Sequence, residues 1–265
     1  PPMVVGWGMG DPDISPFYWS FLIIFLSGWL AWLPVRRIRA SLRTRDGFLI
    51  VTLFWVVLGI FGGLPFILSD AVHASAADAV FESVSGLTTT GATVFVGLDS
   101  FPRSILFFRT QLHWLGGMGI IVLAVAILPM LGVGGMQIYK AEAPGPVKDS
   151  KLTPRINETA KLLWYVYLVI TIICAVAYKL AGMDWFDAIG HSFSILGTGG
   201  FCNHDSSLAY FNSAAINFIS VFFMYVAAAN FSLHFIAWRA KSLQVYWEDS
   251  EFRFYTLVMV LAIIV

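Results

Sequence analysis

The residues that invite a chemical reading lie in two short stretches, TTTGATVFV at 88–96 and GTGGFC at 197–202. Both are rich in threonine and glycine, and neither return, TTTGAT or GTGGFC, carries a carboxylate. What they share is backbone carbonyl. β-Branched residues favour extended chain, and Gly91 and Gly200 are free to take backbone conformations that other residues resist. Extended backbone at membrane depth survives only where it is buried in protein or lines a water-filled path. Carbonyl oxygens along such a path replace the hydration shell of a cation.

Each return follows a short helical stretch. From Asp78 to about Leu87 the sequence reads as a helix with Asp78 as its N-cap. Ten residues give roughly 15 Å of helix against a hydrocarbon core of about 30 Å, so the segment enters the membrane halfway and must return. The pattern recurs. With an offset of 109, residues 187–202 match 78–93 at Asp187, Ala188, Ser192, Ser194, Leu196, Thr198 and Gly200. A repeat of this length implies two like units, each a helix, a half-helix, a Gly/Thr return and another helix.

Other polar residues admit competing chemistry. Glu82 and His191 occupy equivalent places in the two half-helices, either tuning ion entry or, on the plainer reading, hydrogen-bonded behind the helices. His113, His191, His204 and His234 with Asp78 or Asp187 would serve a metal-dependent membrane enzyme, but no ligand spacing supports a haem or metal site at His113 or His234. A non-conducting assembly subunit is a third reading. The runs GGMG at 116–119 and GVGGM at 132–136 have no strand–turn–helix unit around them and are not phosphate cradles. Cys174 and Cys202 show no reason to pair.

The elements that must position these residues are membrane helices. Of 265 residues 58% are hydrophobic and 12% charged, about half the charge of a soluble domain, with mean hydropathy +0.78. Apolar runs at 17–33, 48–68, 104–131, 156–178 and 208–238 are each long enough, or nearly so, to span a bilayer. Residues 1–15 are Gly/Pro-rich and read as an irregular outer loop, and the cluster LGGMGI at 115–120 would let another backbone approach closely. Trp7, Trp19, Trp114, Trp164, Trp185 and Trp247 mostly fall near span ends, where interfacial anchoring explains them. The resulting division is 1–46 (outer loop, first transmembrane helix, basic linker), 47–138 (first unit), 139–156 (cytoplasmic linker), 157–240 (second unit) and 241–265 (linker and start of a third).

Formal net charge is zero, yet 13 of the 16 Lys and Arg fall in three linkers that share one side if each long helix crosses once. The positive-inside rule makes that side the cytoplasm, so the returns enter from outside. Their half-helices then point C-terminal, partially negative ends toward the membrane centre, a field that favours a dehydrated cation.

The stretches FESVSGLTTTGATV, QLHWLGGMGIIVLAVAILP, AEAPGPVKDSKLTPRINETAK and FDAIGHSFSILGTGGF resemble the TrkH/TrkG/KtrB superfamily of potassium uptake proteins, and its TrkH branch in particular, from about Arg36 onward. The resemblance implies an all-α membrane protein of tandem helix–pore loop–helix repeats, similar to potassium channels. It implies a K⁺-translocating subunit of the bacterial inner membrane, a homodimer in the lipid bilayer regulated by a cytosolic nucleotide-binding ring, TrkA. It implies no enzymatic activity, no nucleic-acid partner and no cofactor in this chain, K⁺ being the transported ion. Carried over by residue, the filter carbonyls belong to Thr89, Thr90 and Gly91 in the first loop and Thr198, Gly199 and Gly200 in the second. Unlike the channel filter TVGYG, the first loop has one glycine followed by alanine, so the motif alone does not imply strict exclusion of Na⁺. The family places four loops around one pore, and this chain has two units and the start of a third. Beginning without Met and ending inside an apolar run, it is expected to be a fragment. The basic linkers would dock the TrkA ring, or simply reflect positive-inside sorting.

This topology is open to direct test. Cysteines at Ser41 and Ser150 should label with membrane-impermeant reagent only from the cytoplasm, and one at Ser206 only from outside. Labelling at Ser150 from outside would overturn the re-entrant assignment.

Overall fold

The computed structural model describes residues 1–37, 44–119 and 156–264, and among them every regular element is helical. In chain order these are α1 (Pro2–Met9), α2 (Ser15–Trp32), α3 (Thr44–Phe61), α4 (Leu64–Ile67), α5 (Ala76–Leu87), α6 (Arg103–Gly117), α7 (Ile156–Leu180), α8 (Trp185–Leu196), α9 (Ala214–Ala228), α10 (Phe231–Ala240), α11 (Gln244–Glu248) and α12 (Ser250–Ile264). The sequence helix, half-helix, return, helix is run through twice, as α3/α4–α5–α6 and as α7–α8–α9/α10.

Length separates the spanning helices from the half-helices. Ser15–Trp32, Leu49–Ile67 and Lys161–Leu180 are long and apolar enough to cross a membrane, and Ala214–Ala228 with Phe231–Ala240 passes the same test as a pair. At 12 residues each, α5 and α8 reach about 18 Å, little more than half the hydrocarbon thickness. Large apolar side chains of α2, α7 and α9 such as Phe25, Ile172 and Phe218 stay exposed, as lipid-facing helices require.

The core lies around α6. One apolar cluster joins Leu106 and Leu112 of α6 to Phe66, Ala79 and Phe95 of the first unit. Another joins Met118, just past α6, to Tyr167, Tyr178, Ile195 and Leu196 of the second. Sequence-adjacent units therefore share α6 as a common wall.

Three local expectations are corrected. The N-terminal stretch is not irregular: Pro2 sits in the first turn of α1, where a missing N–H costs nothing, and Gly10 stops the helix in a left-handed conformation, φ 75°. Asp11 then accepts from the backbone N–H groups of Arg103 and Ser104 at 3.0 and 2.7 Å, docking this corner on the start of α6. The run 208–238 is not one straight helix, since α9 and α10 meet at 93°. Asn230 caps Ser232 N–H at 3.0 Å, and the Val226 carbonyl at the bend accepts from Ala229 N–H at 3.2 Å and from His234 Nε2 at 3.0 Å. Trp114 is not an interfacial anchor; it stacks on Phe193 at 4.9 Å and donates to Thr171 Oγ1 at 3.2 Å. The expected extension of the third long helix to 131, the run at 132–136 and all of the linker at 139–156 except Ile156 lie outside the described residues, as does the boundary at 138.

Candidate functional site

Each half-helix is capped at its start by a side chain three residues ahead of an aspartate. Ser75 Oγ accepts from Asp78 N–H at 3.2 Å, and the Asp78 carboxylate accepts from Ser75 N–H at 3.2 Å, a reciprocal capping box. In the second unit Asp184 accepts from Asp187 N–H at 2.7 Å. Positions 75 and 184 again differ by 109. The expected cap at Asp78 is therefore moved back one turn to Ser75, because Ala76 and Ala77 are good helix formers that extend the first turn ahead of Asp78. The S-x-x-D spacing that signals this was present in the sequence.

Beyond each half-helix the chain turns back in matched steps. Thr89 and Thr198 take positive φ of 56° and 55°, and Gly91 and Gly200 follow at 74° and 91°. Thr89 N–H donates to Gly86 O and Thr90 N–H to Ser85 O, at 3.1 and 2.9 Å. Thr198 N–H and Gly199 N–H do the same to Ile195 O and Ser194 O, at 2.9 and 3.0 Å. The N–H groups are thus consumed by the carbonyls at the end of the half-helix. Among the described residues, no hydrogen-bond donor reaches the carbonyls of Thr89, Thr90, Gly91, Thr198 or Gly199. The weak Sγ donor of Cys202 lies 3.6 Å from Gly200 O.

The two returns lie against each other. A Cβ on Gly91 would overlap the Gly199 carbonyl oxygen, so Gly91 answers both to φ and to space. Gly200 has open space around it and answers to φ alone. Helix α6 approaches both half-helix ends through adjacent glycines: a Cβ on Gly116 would overlap Leu87 O, and one on Gly117 would stand 2.8 Å from Gly197 Cα. The close approach expected of this small-residue cluster is present.

Behind the returns, α6 supplies two polar side chains. Arg109 and Glu82 are both buried; Arg109 Nε donates to Glu82 Oε1 at 2.8 Å and Nη2 stands 2.7 Å from the same oxygen. Glu82 also accepts from Thr93 Oγ1 at 2.9 and 3.0 Å and from Val94 N–H at 3.2 Å. The reading of Glu82 as a buttress behind its half-helix fits this geometry. Its register partner His191 behaves differently, donating from Nδ1 to Asp187 O on its own helix at 2.8 Å and packing edge-on to Phe211. His113 stacks on Phe201 at 4.1 Å, and its Nδ1 accepts from Phe201 N–H at 3.3 Å and meets Ser194 Oγ at 3.0 Å. Its ring fills the space that a Cβ on Gly199 would need.

Beyond the returns, His204 bridges the loops. Its Nδ1 bonds Asp99, its Nε2 lies 3.2 Å from Asp187 Oδ2, and its ring stacks on Tyr210 at 3.5 Å. The hydrogen bond from His204 holds the Asp99 carboxyl below its ordinary value. His204 meets Asp99 and Asp187 through opposite ring nitrogens, so among the described residues no group of three or more His, Cys, Asp or Glu is arranged to hold a metal ion, and His113 and His234 lie apart in separate hydrogen-bonded settings. Cys174 and Cys202 are free thiols.

The sequence reading passed over Arg109. Only Arg103, Arg109 and Lys179 lie outside the basic linkers, and of these Arg109 falls in the middle of its helix, away from either end, which is a signal in itself.

A family model described as TrkH, cation transport protein, matches residues 14–265. The chain is 56% identical over 265 residues to the Trk system potassium uptake protein TrkH of Halomonas elongata, covering all of this chain and 55% of that protein. It is 58% identical over 252 residues to TrkH of Vibrio parahaemolyticus, covering 94% and 52%. The crystal structure of the potassium transporter TrkH from Vibrio parahaemolyticus superposes with a TM-score of 0.83 at 52% identity, over 98% of this chain and 53% of that one. The chain spans about half the length of the curated relatives it matches.

The close approach of α6 makes a stability prediction. Gly117→Val, whose side chain meets Gly197 backbone and the Tyr167 hydroxyl, should destabilise by about 1–3 kcal/mol, read as a lower thermal midpoint in detergent. Gly8→Val, with nothing within 4 Å of its Cβ position, should leave the midpoint unchanged.

Proposed function

The chain belongs to the TrkH family of cation transport proteins, and we propose that it contributes two loops of a K⁺ selectivity filter to the translocating subunit of a Trk-type potassium uptake system. The observation that carries this reading is the pair of returns in which the N–H groups of Thr89, Thr90, Thr198 and Gly199 fold back on the half-helix while the carbonyls of Thr89, Thr90, Gly91, Thr198 and Gly199 meet no donor among the described residues. In each unit the partially negative end of a half-helix abuts that return, so helix dipole and carbonyls act on a cation with the same sign. The filter carbonyls are those of Thr89, Thr90, Gly91, Thr198, Gly199 and Gly200. A dehydrated K⁺ exchanges water oxygens for these, with no side-chain carboxylate in the coordination shell.

The relatives' own descriptions as potassium uptake proteins favour K⁺ as cargo. The family resemblance adds the remaining parts of the proposal: a multi-pass protein of the bacterial inner membrane, working as a homodimer in the bilayer, gated by a cytosolic nucleotide-binding ring. Further loops outside this chain complete the pore. No covalent chemistry is assigned to it. His113, His191, His204 and His234 are engaged by Ser194, Asp187, Asp99 and Tyr246, which favours packing roles for these four.

Rubidium uptake by the full-length protein at matched expression tests the reading. Gly91→Ser and Gly200→Ser should each lower uptake or alter K⁺/Na⁺ discrimination while the protein still assembles, because a Cβ at positive φ re-aims the carbonyls. Gly91→Ser should be the more severe, since it also collides with Gly199. Unchanged rate and selectivity in both would remove the returns from the ion path.

A further inference from the structure

We propose that Arg109 is a positioning residue for cation discrimination, a single guanidinium that sets the spacing between the first and second returns. The proposal rests on the conduction reading above and deepens it. Arg109 reaches both loops at once: Nη2 donates to Thr93 Oγ1 at 3.2 Å, and Nη1 donates to Cys202 O at 3.1 Å. Thr93 and Cys202 are register equivalents, 109 residues apart, and each stands two residues beyond the glycine of its return. One planar group therefore bridges the same step of two successive loops.

The rest of the guanidinium is anchored. Nε and Nη2 lie on Glu82, which is rooted in α5 and itself accepts from Thr93 and Val94 of the first loop. On the second-loop side the guanidinium faces the Phe201 ring at 4.4 Å to its centroid. Arginine presents its donors in a rigid fork, so the separation of its three partners is fixed by covalent geometry rather than by a flexible stem. The returns already touch nearer the ends of the half-helices, where a Cβ on Gly91 would overlap the Gly199 carbonyl. With contact at one level and a rigid bridge at the next, neither loop can shift or tilt without the other. A filter that discriminates by carbonyl spacing is sensitive to such a shift. Counted from the helix starts Arg103 and Ala214, the counterpart of Arg109 in the second unit is Ser220, a buried hydroxyl bonded to Tyr178 and to Ile216 O rather than to a return, so this bridge is particular to the first pair of loops.

Two variants separate positioning from folding. Lysine in Arg109→Lys keeps a positive charge beside Glu82 but cannot reach Thr93 and Cys202 together. The double variant Arg109→Met with Glu82→Met removes both charges and leaves neither buried alone. Both are to be measured in the full-length protein, reconstituted in liposomes after sizing to confirm assembly, for K⁺ and Na⁺ flux. The expected result is that at least one assembles and conducts, with its K⁺/Na⁺ ratio reduced about fivefold or more, the change that one net hydrogen bond supports. A ratio within about twofold of wild type in the assembled variants would overturn the proposal, because a structural packing role leaves selectivity untouched. Failure of both variants to assemble would overturn it as well, reducing Arg109 to a folding residue. Wild-type protein that passes no K⁺ would instead sink the conduction reading, and this role with it.

Discussion

Backbone inside a membrane must satisfy its own N–H groups, because no water is there to do so. The two returns meet this demand in one direction only. Their N–H groups fold back onto carbonyls at the C-terminal ends of α5 and α8, which would otherwise be orphaned helix acceptors. One set of hydrogen bonds thereby closes the helix end and leaves the carbonyls of Thr89, Thr90, Gly91, Thr198 and Gly199 without a donor among the described residues. Thr89 and Thr198 at positive φ carry a strain of order 1 kcal/mol that only a well-determined surrounding structure holds.

That surrounding structure is chiefly α6. Its Gly116 and Gly117 admit the ends of the two half-helices to near backbone contact, and its Arg109 and His113 stand behind the first and second returns. A buried guanidinium is expensive unless it is paired and fully hydrogen-bonded, and leaving Glu82 without it would cost about 3–5 kcal/mol. The pair is therefore as much a constraint as a stabiliser, since the loops must sit where the arginine can reach them. Small residues for close approach and one satisfied ion pair for registry together explain how a helix shared by two units holds both.

Much of this was legible in the sequence, for identifiable reasons. The half-helix and return recur with the same residues at the same offset, so both Thr and Gly pairs are found from a repeat, and both land at matching φ. Glycines at 116, 117 and 119 foretell close approach because they have no other use in an apolar helix. What escaped has one cause: hydropathy and composition report whether a residue is in the membrane, not where its side chain reaches. Arg109 looks like a stray basic residue until Glu82, Thr93 and Cys202 converge on it from 16 to 93 positions away. The bend between α9 and α10 is hidden because both arms are apolar, with Asn230 its one local mark. Glycine and proline at the N-terminus read as loop, whereas Pro2 opens α1 and Gly10 closes it. Glu82 and His191 were paired by register alone, and only Glu82 reaches its return.

The central claim is that main-chain oxygens of the two returns hold the ion. Crystals of the full-length protein soaked in Tl⁺ or Rb⁺ test it through anomalous scattering. The account requires anomalous peaks in direct coordination with carbonyls of Thr89, Thr90 or Gly91 and of Thr198, Gly199 or Gly200. Peaks confined to side-chain carboxylates elsewhere, with none along these carbonyls, would contradict it.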